Sequence, residues 1–350
     1  MQRIQGSSVG TGRRLNGIWR RCITRRETGQ VLGEVFGEMV SEFERHLLLV
    51  RQPGWQDVED WLTIARRVRM TDPSIAVFVV DSSVLAEDLI EAAATKPTLV
   101  VSPGPLGVTQ PRRGRVLRGR PIAKLQQLHM LATAKVPVPR TALLRPETQL
   151  DAATWGQWVV EKPADLTQSS QGKGFRLLQP GEVRYRPQDD FPAGHPGRLA
   201  PMLIQRFIDT GSPISSWRVL MFLGRPLYSQ LMVGPPPNPD DPPQVAMQAL
   251  SGGTRRFAYD ADIIAAATAA AGAFVDVPLL GVDVLREAGT GRVYVLEVNP
   301  GGNTWHFSSD HLKVERAENG PDFERQRREQ LDAFGTAAHA LADAARRLAE

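Results

Sequence analysis

The sequence predicts a mixed fold, α/β in its N-terminal third and α+β in the remainder. Three observations predict this class. Short apolar runs at 46–50, 75–80 and 97–103 alternate with amphipathic helical stretches, as in βαβ units. From residue 157 onward, apolar runs of strand length follow one another across short polar turns, as in hairpins. A length of 350 residues with 42% hydrophobic and 23% charged residues is typical of a globular chain with several domains.

The N-terminal layer is predicted element by element. Residues 30–46 have a helical pattern and lead into the strand HLLLV. The stretch VEDWLTIARRVRM repeats apolar residues at helical spacing and precedes the strand 75–80. A further helix, SVLAEDLIEAAA, separates that strand from 97–103. This strand–helix–strand order predicts parallel pairing.

The second half is predicted to be a helix followed by hairpins. The helix beginning at residue 122 is stopped by the prolines of VPVP. QWVVEKP and GFRLLQP are strands around the loop ADLTQSSQGK, MLIQRFI is a further strand, and SSWRVLMFLGRPLYSQLMV turns back at LGRP. The six prolines of 234–244 predict an extended loop. An Ala-rich helix (261–274) and one amphipathic helix (323–350) complete the prediction.

The positive charge of the chain is confined to its N terminus. Residues 1–30 contain seven arginines and one acid, whereas the rest carries 35 basic and 37 acidic residues. RRLNGIWRRCITRR is compatible with a nucleic-acid arm or a targeting segment, but it has one aromatic residue, no apolar core and no cleavage site. We therefore expect 1–30 to be a basic, disordered leader, and we expect no nucleic-acid partner.

Cysteine content and hydropathy predict a cytoplasmic protein. The single cysteine, Cys22, excludes an internal disulfide framework and favours a reducing compartment. The longest apolar stretch, 263–275, is shorter than the roughly 20 residues that a membrane helix needs. It lies between Asp262 and Asp276, which predicts a packed helix and no membrane partner.

The segments GVDVLREA and RVYVLEVN are predicted to form a hairpin. A three-residue loop, Gly289-Thr290-Gly291, would place Ala288 opposite Arg292 and Asp283 opposite Glu297. Like charges directly opposed destabilise a sheet unless a positive charge lies between them. The acidic pair therefore indicates a bound cation or, alternatively, a solvated hairpin with an acidic exposed face.

Asn299 adds an amide oxygen to the same face, two residues beyond Glu297. Two carboxylates and an amide suit Mg²⁺, which binds few carboxylates and completes its coordination with phosphate oxygens. We therefore predict a metal site formed by Asp283, Glu297 and Asn299.

Lysine is rare in this chain and is expected where a compact ammonium is needed. Only six of the 42 basic residues are lysines, and Lys124 opens a helix, Lys162 ends a strand and Lys173 lies in SSQGKG. SSQGKG is not a P-loop, because Thr167 and Gly174 occupy the positions of its first glycine and its Ser/Thr. Its backbone N–H groups can still surround phosphates. The alternative is a flexible surface loop with surface lysines.

Five segments between residues 122 and 308, taken in order, resemble the ATP-grasp superfamily, which includes D-alanine–D-alanine ligase and glutathione synthetase. They are AKLQQLHMLATAKVPVPRT, VVEKPADLTQSSQGKGFRLL, MLIQRFI, SSWRVLMFLGRPLYS and GVDVLRE with YVLEVNPGGNTWHFSS. The resemblance implies an ATP-grasp fold in which two α+β lobes enclose ATP behind an N-terminal βαβ-type domain. The domains it implies are a leader (1–30), an N-terminal α/β domain (31–120), a central lobe with a lid loop (121–204) and a C-terminal lobe with the metal site and a closing helix (205–350).

The resemblance also implies roles for individual residues. Lys124 and Lys162 would contact the phosphates of ATP, and the acidic hairpin would hold two Mg²⁺ ions, with Mn²⁺ as the alternative. Arg218 would face phosphate or substrate as a catalytic residue. The remaining nucleotide-binding residues would be those of the lid and of the strand that receives the adenine: Ser169, Ser170, Gly172, Lys173, Gln205, Arg206, Phe207 and Ile208.

Three segments depart from the superfamily's pattern. The Pro-rich 234–244 replaces a short connection and could be a substrate-specific lid. NPGGNTWHF is one residue shorter than the similar D-alanine ligase segment. Backbone donors at Gly301 and Gly302 would bind an oxyanion there, and Thr304 or His306 would contact the acceptor. The alternative is a structural turn with a packed Trp305.

SGGTRR resembles the glycine pair before a second basic contact in the superfamily. Either Arg255 or Arg256 would therefore meet phosphate or substrate, and Arg256 is the residue assigned as catalytic, together with Gly302.

By this resemblance the chain would be an ADP-forming carboxylate–amine ligase, in which a substrate carboxylate becomes an acyl phosphate that an amine or another nucleophile displaces. The products would include a peptide or related bond. Its partners would be a small-molecule or peptide carboxylate and an amine, and a homodimer is left open. The alternatives are an ATP-grasp kinase that phosphorylates a hydroxyl and a non-catalytic nucleotide-binding protein.

Overall fold

The structure is a computed structural model that describes residues 43–83, 96–107, 113–164, 174–236, 253–300, 305, 307–308 and 312–349. The predicted leader, most of the helices predicted at 30–46 and 83–94, and part of the Pro-rich segment lie outside these residues. By its internal contacts the chain divides into two compact units. The first comprises 1–120, 276–279 and 301–350, and the second comprises 121–275 and 280–300.

The described helices and strands are mixed along the chain. The helices are α1 (Val58–Thr71), α2 (Lys124–Thr133), α3 (Ala152–Trp155), α4 (Ala261–Gly272), α5 (Leu312–Glu329) and α6 (Ala333–Leu348). The strands are β1 (Arg45–Arg51), β2 (Ile75–Asp81), β3 (Thr98–Ser102), β4 (Gly114–Arg118), β5 (Thr141–Leu143), β6 (Val159–Pro163), β7 (Arg176–Leu178), β8 (Met202–Arg206), β9 (Ser215–Phe222), β10 (Arg225–Val233), β11 (Thr254–Phe257), β12 (Leu279–Arg286) and β13 (Val293–Pro300). This composition confirms the mixed class that the sequence predicts.

The first unit contains a parallel sheet of order β2-β1-β3-β4. Its first three strands confirm the predicted parallel layer. The sequence does not predict β4, because GRVLR has two apolar residues and only Leu117 is buried. The helix α1 buries Trp61, Ile64 and Val68 at the predicted helical spacing and packs against α6.

The prediction of one closing helix over 323–350 is wrong, because α5 and α6 are separate. Asp332 adopts a left-handed φ of 43°, and its side chain accepts a hydrogen bond from the N–H of Gly335 at the start of α6. A Cβ on Gly335 would lie 1.9 Å from the Asp332 carboxylate, so only glycine allows this close approach. The helical period continues across the break, which is why the pattern predicts a single helix.

The second unit contains two antiparallel sheets. The four-stranded sheet has the order β5-β8-β6-β7 and includes the predicted pairing of VVEKP with RLL. The five-stranded sheet has the order β11-β10-β9-β12-β13 and includes the predicted hairpin that turns at LGRP. The helix α4 packs on the five-stranded sheet, and α2 ends before the VPVP prolines, as predicted.

Within the described part of the chain, no helix combines the length and the apolar character that crossing a membrane requires.

Candidate active site

The hairpin of β12 and β13 places Asp283 opposite Glu297, as predicted, but by a different route. Glu287 bonds to Arg292 across the turn, so the loop contains four residues and the predicted three-residue loop is wrong. The extra loop residue shifts the pairing near the turn by one. A bulge at Leu296 then shifts it back, so that the two carboxylates face each other.

Two cations of the protein itself neutralise the opposed carboxylates. The Arg218 guanidinium donates from Nε and Nη2 to the two carboxylate oxygens of Asp283, at 2.7 Å each. The Nζ of Lys124 lies 2.9 Å from Oε2 of Glu297. Asn299 also contacts Asp283, with Nδ2 donating over 3.1 Å. The fold therefore supplies positive charge to each carboxylate, and the metal site at Asp283, Glu297 and Asn299 stays a prediction.

This arrangement makes Glu297 strongly acidic. Burial alone would raise its pKa, but Lys124, Lys162 and Arg218 lower the pKa of Glu297 to about 2. The Asp283 carboxylate likewise raises the pKa of its partner, Arg218. Glu297 and Arg218 are therefore both ionised at neutral pH.

Lys124 occupies an unusual position for a lysine, because it is the first residue of α2. A helix N-terminus attracts anions and disfavours cations. The preceding residue, Ala123, provides no side-chain cap, so the N–H groups of the first turn have no side-chain acceptor from the cap position. The ion pair with Glu297 stabilises Lys124 at a helix end suited to an anion.

Lys162 is buried on the neighbouring four-stranded sheet. It is 2% exposed, and its Nζ donates to Oε1 of Gln205 over 2.7 Å. Burial is the main cause that lowers the pKa of Lys162 to about 7, and the nearby Lys124 lowers it further. A buried lysine of this kind gains a full charge when an anion binds beside it.

A chain of hydrogen bonds orients the Gln205 amide. Its Nε2 donates to the hydroxyl of Thr141 over 3.0 Å, and that hydroxyl donates to the C=O of Pro139 over 2.9 Å. The carbonyl end of Gln205 is thereby directed at Lys162. Thr141 lies in the VPVPRT motif, but its contact with Gln205 spans 64 residues and therefore leaves no local signal in the sequence.

The segment predicted to receive an adenine continues β8. The backbone N–H groups of Arg206 and Phe207 already donate to the carbonyls of Arg140 and Trp158. The Arg206 side chain pairs with Glu287 at the hairpin turn. Ile208 is buried with Leu285, Tyr294 and Leu296, which forms an apolar cluster beside the acidic pair.

The strand register separates Arg255 from Arg256. Residues directly opposite in an antiparallel pair share a face, and alternate residues share it along a strand. Gln230 faces Arg218, and Met232, two residues on, faces Arg255. Arg255 therefore lies on the face of Arg218, and Arg256 lies on the other face. The register thus favours Arg255 over the predicted Arg256 as the second basic residue of the site, and a role for either stays a prediction.

Several predicted residues lie outside the described residues, namely Ser169, Ser170, Gly172, Lys173, Gly301, Gly302, Thr304 and His306. Trp305 is described and belongs to the first unit. It is fully buried, stacks on Trp61 with ring centroids 5.0 Å apart, and donates from Nε1 to Asp60. The structure therefore has a packed Trp305, as in the alternative prediction.

The donor set at the hairpin fits a cation that takes few protein ligands. The described residues contain no cluster of three or more His, Cys, Asp and Glu side chains. Asp283, Glu297 and Asn299 offer two carboxylates and one amide. An ionised carboxylate has about four acceptor positions, so Glu297 keeps capacity beyond its bond to Lys124. This chemistry suits Mg²⁺ shared with phosphate oxygens.

The fold and this site together define an α/β protein with a compact, charge-balanced cluster suited to a phosphate ligand. No protein-family model matches the chain, and no curated protein matches it. Solved structures similar to it include the ATP-grasp ligase PsnB complexed with minimal precursor, Mg and ADP, at 16% identity over 86% of this chain and 98% of that one, with a TM-score of 0.48. The D-cycloserine synthetase DcsG is 18% identical over 85% and 99%, with a TM-score of 0.45.

The D-alanine–D-alanine ligase from Bacillus anthracis, complexed with ATP, is 11% identical over 85% of this chain and 98% of that one, with a TM-score of 0.39. The likeness is distant, since each of these structures is less than 20% identical and has a TM-score below 0.5. It says nothing of a substrate for this chain.

Replacing Lys162 should separate stability from ligand binding. Because the folded pKa lies below the ordinary 10.5, the charged form destabilises the fold. That destabilisation is full below about pH 7 and shrinks as pH rises toward 10.5. Lys162→Met should leave the melting temperature at pH 7 unchanged or raise it by about 2–4 °C, and abolish the rise that Mg·ATP gives.

Lys135→Met, at an exposed lysine of the same unit, is the matched control and should change neither quantity. A Lys162→Met protein that melts well below wild type and still responds to Mg·ATP would show that the lysine is structural.

Nucleotide binding should also take up protons above pH 7. With a pKa of about 7, Lys162 is about nine-tenths neutral at pH 8 in the free protein, and phosphates beside it would favour the ammonium. Calorimetric titration with Mg·ATP in two buffers of different ionisation enthalpy should show uptake of about one proton at pH 8 and almost none at pH 6. Lys162→Arg, which stays charged, should abolish the uptake. Equal uptake in both proteins would contradict the assignment.

Proposed function

We propose that this chain is an ATP-grasp ligase that activates a substrate carboxylate with ATP and joins it to an amine or another nucleophile. One observation supports this proposal above the others: Lys124, Lys162 and Arg218 surround the opposed carboxylates Asp283 and Glu297 within a single unit. The parts of the five ordered motifs that the structure describes within this unit lie on the elements that bring these residues together.

The charges support ATP as the ligand. Lys124 and Arg218 balance the two carboxylates, and Lys162 would add a third positive charge when an anion binds beside it. Lys124 and Lys162 would contact the phosphates, and the apolar cluster around Ile208 would lie against the adenine. Since Arg206 and Phe207 already use their N–H groups, the adenine would meet other backbone groups of this segment.

Asp283, Glu297 and Asn299 would hold Mg²⁺, two ions being the superfamily's pattern, with Mn²⁺ as a substitute. The metal would supply charge neutralisation on the triphosphate. The protein's part would be to position the γ-phosphate and to stabilise developing negative charge with Arg218 and Lys162.

The reaction would proceed in two displacements. An oxygen of the substrate carboxylate would attack the γ-phosphorus while the bond to the β-phosphate oxygen breaks, giving an acyl phosphate and ADP. The nucleophile would then attack the acyl carbon and release phosphate. Positioning and charge stabilisation are the main requirements, and no side chain forms a covalent intermediate in these two displacements.

Trapping with hydroxylamine tests this function directly. With Mg·ATP and a panel of amino acids and short peptides as acids, the protein should convert an acid to its hydroxamate with one ADP for each hydroxamate. ADP with a phosphorylated alcohol and no hydroxamate would instead identify a kinase. Bound nucleotide without any turnover would identify a nucleotide-binding protein.

Glu297→Gln should abolish hydroxamate formation, with a loss of at least about 100-fold in kcat. It removes the negative charge that holds Lys124 and would hold Mg²⁺, while the amide keeps the shape. Glu147→Gln, at an exposed carboxylate of the same unit, is the matched control and should have wild-type activity. A folded Glu297→Gln enzyme with normal turnover would remove the proposed metal site.

A further inference from the structure

Gln230 is a buried amide in the middle of β10 with an unsatisfied donor. It lies between Arg218 on β9 and Phe257 on β11. It is 4% exposed, and its Nε2 has no hydrogen-bond partner among the described residues. Most buried side-chain polar atoms in native proteins have a partner, and leaving a donor unpaired destabilises the fold. A ligand that accepts this hydrogen bond would account for the exception.

The position of Gln230 indicates which ligand this is. Across the sheet face the order is Glu297 on β13, Asp283 on β12, Arg218 on β9 and Gln230 on β10. Adjacent strands are about 4.8 Å apart, so Gln230 lies roughly 10 Å from Asp283. Lys124 contacts the Glu297 end, where the nucleotide phosphates are proposed. Gln230 is therefore on the side of Arg218 away from the nucleotide.

We propose that Nε2 of Gln230 donates a hydrogen bond to an oxygen of the acyl substrate while its carboxylate is phosphorylated beside Arg218. This inference rests on the proposed function and adds a substrate-binding residue that none of the superfamily motifs assigns. The hydrogen bond makes or breaks no covalent bond in the substrate; it positions the acyl group for attack on the γ-phosphate.

The surroundings of Gln230 indicate the class of acid. Phe257 and Met232 lie on the same face, are half-buried and are apolar. Arg255 lies opposite Met232 and adds a cation at the edge of the sheet. A carboxylic acid with an apolar portion and a second oxygen-bearing or anionic group matches this surface. Such an acid would contact Arg218 and Gln230 at one end and Arg255 at the other.

The reverse half-reaction gives a test that does not require the natural acid. Acetyl phosphate and Mg·ADP should yield acetate and ATP, because the bond between phosphorus and the acyl oxygen breaks as the bond to the ADP oxygen forms. Gln230→Met keeps the length of the side chain and removes the amide. We expect the KM for acetyl phosphate to rise about 10-fold, with the KM for ADP unchanged and the melting temperature unchanged or higher.

The matched control is Gln56→Met in the first unit. Gln56 is also buried, but its Oε1 accepts from the N–H of Gln52 over 2.6 Å, so this change should lower the melting temperature and leave both KM values unchanged. Should Gln230→Met fail to fold, Gln230→Glu keeps the shape and replaces the donor with a carboxylate. It should raise the KM for acetyl phosphate further.

Three results would overturn the inference. Unchanged KM values in the Gln230 variants would mean that the amide has no contact with the acyl group. A raised KM for ADP would place Gln230 at the nucleotide. A wild-type protein that makes no ATP from acetyl phosphate, and no hydroxamate, would contradict the proposed function, and the role of Gln230 would fall with it. A protein that passes both of those assays but is insensitive at Gln230 would contradict this inference alone.

Discussion

The opposition of Asp283 and Glu297 across one hairpin is the constraint on which the site depends. Two carboxylates facing each other are unfavourable unless positive charge is supplied. The fold supplies it from outside the hairpin: Arg218 comes from β9, and Lys124 comes from the first turn of α2. Removal of either cation would leave a partly buried carboxylate without a counter-ion. The resulting loss of stability is larger than the loss expected for an exposed ion pair. The acidic pair therefore fixes the relative positions of a helix end and two strands.

The same arrangement keeps Lys162 ready for an anion. Its ammonium is buried beside Lys124, and the hydrogen-bonded chain through Gln205 and Thr141 holds it. Among the residues that the structure describes, no carboxylate forms an ion pair with it. A lysine in this state lowers the stability of the free protein, and a bound phosphate would stabilise its charged form. The chain thus loses some stability at a position that serves binding. The charges of the site thus connect folding and function. The buried positive charge of Lys162 is unfavourable in the free protein, and a bound triphosphate would compensate it.

Much of the fold could be predicted from the sequence, because the spacing of apolar residues and the positions of glycine and proline are local properties of the chain. Strands such as β1 and β2 are continuous apolar runs, and α1 has a clear helical spacing. Features set by tertiary contacts could not be predicted. The short strands β4, β5 and β11 have weak patterns, and the break between α5 and α6 depends on one backbone angle at Asp332.

The hairpin prediction reached the right acidic pair through a wrong loop, because a bulge cancelled the error. Which of Arg255 and Arg256 faces the site follows from strand register alone, and the unpaired amide of Gln230 is visible only once burial is known.

On our interpretation, this charge cluster receives a triphosphate with its metal. A crystal structure with Mn²⁺ and a non-hydrolysable ATP analogue tests it most directly, since the anomalous signal of manganese locates the ion independently of the nucleotide. We expect an anomalous peak within bonding distance of Glu297 and of Asp283 or Asn299, with Lys124 and Lys162 in contact with phosphate oxygens. A nucleotide bound elsewhere, or Lys124 still paired with Glu297 and no peak at the hairpin, would contradict it.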